Sequence, residues 1–157
     1  AWTLNASDGA EFDDGTLNNF SIELLGSMPS SGFGQWQLSQ FSAVQVLNPL
    51  ISGENADPDG DGRANLLEYA TGGNPMAFDR TGEPVLLNAE GILSLQYISD
   101  AAKTDLIYTA QVSTDLINWT DIAGVVTVTL DSLEIREATF PTKQTCFARL
   151  TVTRGSP

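Results

Sequence analysis

Between Asp57 and Glu68 the chain places oxygen-bearing side chains at a spacing that suits a hard cation: Asp57-Pro58-Asp59-Gly60-Asp61-Gly62-Arg63-Ala64-Asn65-Leu66-Leu67-Glu68. The run satisfies D-x-[DN]-x-[DN]-G-x5-E without a gap. A calcium ion takes about six to eight oxygens at roughly 2.3–2.6 Å. Asp57, Asp59 and Asp61 wrap such an ion as the chain turns, and Gly62 supplies the sharp bend that swings the carbonyl of Arg63 toward it. Asn65 contributes directly or through a water, and Glu68, on the helix that leaves the loop, closes the site with both oxygens. The plain alternative is an acidic surface turn whose Asp and Gly residues serve turn chemistry alone. The number of constrained positions at fixed spacing favours the ion, because carboxylates this close repel one another without a counter-charge. Magnesium fits less well, since it resists dehydration and takes fewer protein ligands. Ca2+ is therefore the expected cofactor.

The rest of the composition removes chemistry. Twenty acidic residues face seven basic ones, for a formal net charge of −13, and histidine is absent. Such a surface repels phosphate backbones, so no nucleic acid is expected as a partner. Without histidine there is no Ser-His-Asp, Cys-His or His-ligated zinc arrangement, and no carboxylate pair stands out beyond the loop. No catalytic residue is assigned. The one cysteine, Cys146, lies in an alternating run with Ala148, Leu150 and Val152, which predicts a buried thiol. No run of 18 apolar residues exists, so no membrane span is expected. The residues from Ala1 onward show no signal peptide.

The elements that must position the loop divide the chain into segments. Residues 1–26 read as two strands around an acidic turn, with Phe20, Ile22 and Leu24 alternating in the second. Two strands do not stand alone in water and need partners. A Gly/Ser/Pro linker follows over 27–34. Residues 35–82 carry a helix from Trp36 to Leu47, closed by Asn48-Pro49, then the loop, then a short helix from Ala64 to Thr71 stopped by Gly72-Gly73-Asn74-Pro75. Ile51 to Ala56 forms helix poorly, so the usual helix just before such a loop is expected to be missing, which suits a fixed structural ion better than a sensor. Residues 83–157 predict strands at Val85–Leu87, Ile92–Ile98, Leu106–Val112, Val125–Leu130, Leu133–Ala138 and Cys146–Val152, with Trp119 as a core residue. The fold class expected is mainly β with a small α element: a C-terminal antiparallel β-sandwich preceded by a single EF-hand-like calcium loop with short helices.

The run from Asp57 to Pro75 resembles the DPDGDG calcium element found near the C-termini of secreted proteins of Verrucomicrobia and Planctomycetes, akin to the loops of dockerin and thrombospondin type 3 repeats. Trp36 and Phe41 look like its lead-in, and Tyr108 to Trp119 and Phe147 to Val152 look like the small β-domain that follows it. Residues 1–26 are similar to the closing strands of the P (homo B) domain, a β-jelly roll appended to subtilisin-like proteases. That second resemblance implies a parent protease and, since P domains bind calcium, a second site at Asp8, Asp13 and Asp14. A solvated acidic turn is the simpler account of those three aspartates.

The expectation is a non-catalytic, calcium-stabilised accessory or C-terminal region of a secreted bacterial protein, with an upstream protease domain or an extracellular polymer as partner. Two alternatives stay open at this point. One is a carbohydrate-binding or adhesive module carried by exposed aromatics such as Trp36 and Trp119. The other is a subunit of an extracellular assembly, in which residues 1–26 complete a neighbour's sheet.

Overall fold

A computed structural model describes residues 32–140 and 146–155; the strands expected over 1–26 and the acidic trio Asp8, Asp13 and Asp14 lie outside these residues. The described chain is mainly β, with short helices gathered at its N-terminal end. Four antiparallel strands form one sheet in the order β1 (Val85–Ala89), β2 (Ile92–Asp100), β6 (Leu133–Phe140), β5 (Val125–Leu130). A second antiparallel sheet runs β4 (Thr120–Ile122), β3 (Leu106–Ser113), β7 (Phe147–Arg154). Both sheets contribute to one apolar cluster: Leu95, Tyr97, Ala138 and Phe140 from the first and Ala110 from the second, with Tyr108, Val112, Ile122, Ala148 and Leu150 packed against it.

The period-2 pattern explains why these segments are strands. In β2 the buried positions Leu95 and Tyr97 face the core, while in β7 Ala148 and Leu150 point inward and Phe147 is exposed. Cys146 is half-buried and packs on the same cluster, so its thiol is partly covered rather than fully enclosed as expected. The β1–β2 and β5–β6 hairpins turn through residues of left-handed φ, Glu90 with Gly91 and Asp131. Between β4 and β5 the chain passes from one sheet to the other at Gly124, where any β-carbon would strike the Tyr97 hydroxyl. The three-residue β4 was not anticipated. Trp119, expected in the core, is half-buried at the edge, its indole N–H donating to the Leu116 carbonyl at 3.2 Å and the Arg149 guanidinium stacked 3.9 Å above its ring. It precedes the strand rather than lying within it, so it falls outside the inward-facing register.

The helix expected from Trp36 to Leu47 is broken into shorter pieces. The first, α1 (Gly32–Gln40), ends before Phe41; α2 (Ala43–Val46) and α3 (Pro49–Ser52) are single turns. Ser42 starts α2 by a capping box, accepting from the Gln45 N–H while Gln45 accepts from the Ser42 N–H. Asn48 caps α3 through the Leu50 N–H, and Pro49 sits at its first position, so Asn48-Pro49 opens a helix instead of only closing one. Val44 and Leu47, which with Trp36 and Phe41 give the rough helical apolar spacing behind that expectation, are exposed because the break turns them to solvent. The start of α1 at Gly32 also takes up part of the expected linker: the Asp105 carboxylate, 72 residues away in sequence, accepts the Phe33 N–H at 3.0 Å and so caps the helix from outside.

Phe33, Trp36, Phe41 and Tyr69 form an aromatic cluster with ring centroids 5.3 to 5.9 Å apart. Through it α1 packs on α4 (Asn65–Thr71), the helix that leaves the acidic loop. Helix α4 is held to the strands in turn. The Tyr69 hydroxyl donates to Asp105 at 3.0 Å and the Tyr108 hydroxyl to the Ala70 carbonyl at 3.0 Å. The Lys103 ammonium sits 5.0 Å from the Tyr69 ring centre, and Arg154 pairs with Glu54 at 2.7 Å. No described helix is long and apolar enough to cross a membrane.

Candidate metal centre

The loop is shaped by its own backbone donating into its own carboxylates. Asp57 accepts the N–H groups of Gly60 and Gly62, one at each oxygen, both at 2.9 Å. Asp59 accepts from Asp61 at 3.1 Å, and Asp61 from Arg63 at 2.8 Å. Gly60 and Gly62 hold φ of 76° and 91°, a region where a β-carbon is costly, and this bends the chain inward after Asp59 and Asp61. The ends of the loop are clasped together: Asn65 N–H donates to the Ala56 carbonyl at 2.8 Å and Leu66 N–H to the Glu54 carbonyl at 3.0 Å.

This curvature brings Asp57, Asp59 and Asp61 together, with one ligand atom from each lying within 4.8 Å of the others. Two oxygens on opposite sides of a calcium ion stand about 4.6–5.2 Å apart, so the trio is spaced to share one cation. Such a group could hold a metal ion. Asp57 is exposed, while Asp59 and Asp61 are half-buried.

Exposed acidic groups are common, and the buried atoms beside this one say more. Glu68 and Asn65 are completely enclosed, each with 0% exposure. Neither Glu68 carboxylate oxygen receives a hydrogen bond, and neither do Asn65 Oδ1 and Asp59 Oδ2. Four buried oxygens without donors in one small region run against the rule that buried polar groups find partners, each orphan costing about 1–3 kcal/mol. The Asn65 amide is fixed by donating to the Ile51 and Gly53 carbonyls, both at 2.8 Å, so its oxygen cannot swap places with its nitrogen without losing both bonds. Burial, then the negative charges of Asp59 and Asp61, push the Glu68 carboxyl up to about 7. Glu68 therefore feels the loop carboxylates directly. Glu68 stands outside the group of mutually close carboxylates that Asp57, Asp59 and Asp61 form, and the donors that all of these residues offer are oxygens, the kind a hard cation takes.

The spacing assigned Arg63 only through its carbonyl and did not show the part its side chain plays. Its side chain is buried at 6% exposure and pairs with Asp79 at 3.0 Å. It also donates to the Thr71 hydroxyl and to the Thr81 carbonyl. Asp79, 16 residues away, was not singled out by any pattern. No protein-family model, curated protein or solved structure matches the chain.

Proposed function

We propose that residues 57–68 hold one calcium ion, with Asp57, Asp59, Asp61, Asn65 and Glu68 supplying side-chain oxygens and Arg63 its carbonyl. The observation that carries this is the set of buried, donor-less oxygens of Glu68, Asn65 and Asp59 beside the three-aspartate group. The ion's work is structural. Glu68 shares a short helix with Tyr69 and Ala70, which bond to the β-strand region, so filling the loop secures the helical element against the sheets. In the fuller reading the loop is EF-hand-like and the two sheets form a small β-sandwich around their common apolar cluster.

In the same proposal the chain is a non-catalytic, calcium-stabilised accessory region of a secreted protein, a protease whose P domain closes with residues 1–26. Extracellular calcium is millimolar, which matches a site of this kind, and a charge of −13 suits a cation-rich medium. Calorimetric titration of the chelator-treated chain tests the ion directly: one equivalent of calcium should bind, with a rise in melting temperature over the chelated form. Equal melting curves with calcium and with chelator would overturn the reading.

A further inference from the structure

We infer that the buried Arg63–Asp79 pair is the positioning element of the ion site, so that the ion-binding unit runs on to Thr81 instead of ending at Glu68; this rests on the calcium reading above. The geometry converges on Asp61. One Asp61 oxygen accepts the Arg63 N–H at 2.8 Å, and the other faces the Asp79 N–H at 3.5 Å. The two residues whose backbones grip this ligand are the two whose side chains are paired at 3.0 Å. Asp79 is itself locked, accepting from the Thr81 N–H at 2.9 Å and the Asn74 N–H at 3.0 Å.

The guanidinium also reaches the far end of the site. It donates to the Thr71 hydroxyl in the last turn of α4 and to the Thr81 carbonyl at 2.9 Å. At Gly73 a β-carbon would stand 3.1 Å from Arg63 Nη2 and 3.3 Å from Glu68 Cβ, so guanidinium, Glu68 stem and backbone are in close file there. The planar Arg63 side chain thus ties the exit helix bearing Glu68 to the 79–81 segment, while the Arg63 backbone N–H holds Asp61 in the same frame. A lysine cannot do this, having no fork.

The sign of the effect separates positioning from simple charge. A fixed positive charge beside a cation site repels the cation, so if charge alone mattered, removing it would tighten calcium binding. If positioning dominates, removing it loosens binding, as loss of groups that orient metal ligands typically does by about 10–100-fold. The test is calcium titration and chelator-triggered calcium release on the whole chain and on Arg63→Met, Arg63→Lys, Asp79→Asn and the Arg63→Met/Asp79→Asn double variant. Each single change should weaken binding by about tenfold or more, mostly through faster release, and the double should be no worse than the poorer single. Arg63→Lys, which keeps the charge and loses only the fork, decides the matter if Arg63→Met does not fold, because removing the negative charge in Asp79→Asn weakens cation binding on either account. Unchanged or tighter binding in Arg63→Lys, or effects that simply multiply in the double variant, would overturn the inference while leaving the calcium site intact. Failure of the unaltered chain to bind calcium would remove both.

Discussion

Exchanging Glu68 for glutamine keeps the side chain's volume and removes one negative charge from an enclosed position, and its effect should change sign with calcium. In chelator, burial and the neighbouring Asp59 and Asp61 push the Glu68 carboxyl from its ordinary 4.5 up to about 7. An acid whose folded value is raised favours the folded state below the unfolded value and loses that advantage as pH climbs through the folded one. At pH 8 the shift therefore amounts to about 3 kcal/mol against folding. Glutamine removes this cost but leaves its own amide without partners, at about 1–3 kcal/mol. The net expectation for Glu68→Gln in chelator is a gain of about 0–2 kcal/mol, or a melting temperature higher by zero to roughly 8 °C. With calcium at a thousand times its dissociation constant the unaltered chain gains about 4 kcal/mol, which the variant largely forgoes. Paired melts at pH 8, in calcium and in chelator, give the answer. If Glu68→Gln lowers stability by the same amount in both, Glu68 is only a packing residue and the account of its buried oxygens is wrong.

In the proposed site the same carboxyl would make calcium affinity depend on pH. Because binding needs the deprotonated form, affinity should fall as pH drops below about 7, approaching tenfold per unit, and a constant affinity from pH 8 to 6 would contradict the role of Glu68. Asp105→Ala removes the acceptor of both the Tyr69 hydroxyl and the Phe33 N–H and should cost about 2–4 kcal/mol in urea unfolding, with the aromatic cluster loosening in near-ultraviolet circular dichroism. Gly82→Ala drives a β-carbon against the Thr71 carbonyl at a φ of 69° and should destabilise by about 1–3 kcal/mol, visible as a lower melting temperature with and without calcium.

The strand region was legible because alternation is a local signal. Ile92–Ile98 and Leu106–Val112 were anticipated nearly to their observed ends, and only β4, three residues long, had too little pattern to notice. The helical part was misread for a reason that also lay in the letters. Ser42-Ala43-Val44-Gln45 is a capping-box signature that starts a new helix inside what the apolar spacing of Trp36, Phe41, Val44 and Leu47 presented as one. The loop residues Asp57, Asp59 and Asp61 could be brought together on paper because their spacing is the geometry. Arg63 with Asp79, and Asp105 with Phe33, could not, since those contacts join segments 16 and 72 residues apart and depend on how the pieces dock. What stays beyond sequence reasoning here is the tertiary hydrogen bond, not the motif.

Asp105 has one more consequence. Its carboxylate holds the N–H of Phe33 at 3.0 Å and its carbonyl that of Gly155 at 2.9 Å, so the first and last described stretches of chain meet at a single residue. A pull exerted between those stretches would be resisted first at that junction, sparing the acidic loop. Strung in a longer polypeptide, the folded unit would hang beside the line of tension as a pendant, adding little to its extended length while its clasp at Asp105 stays shut.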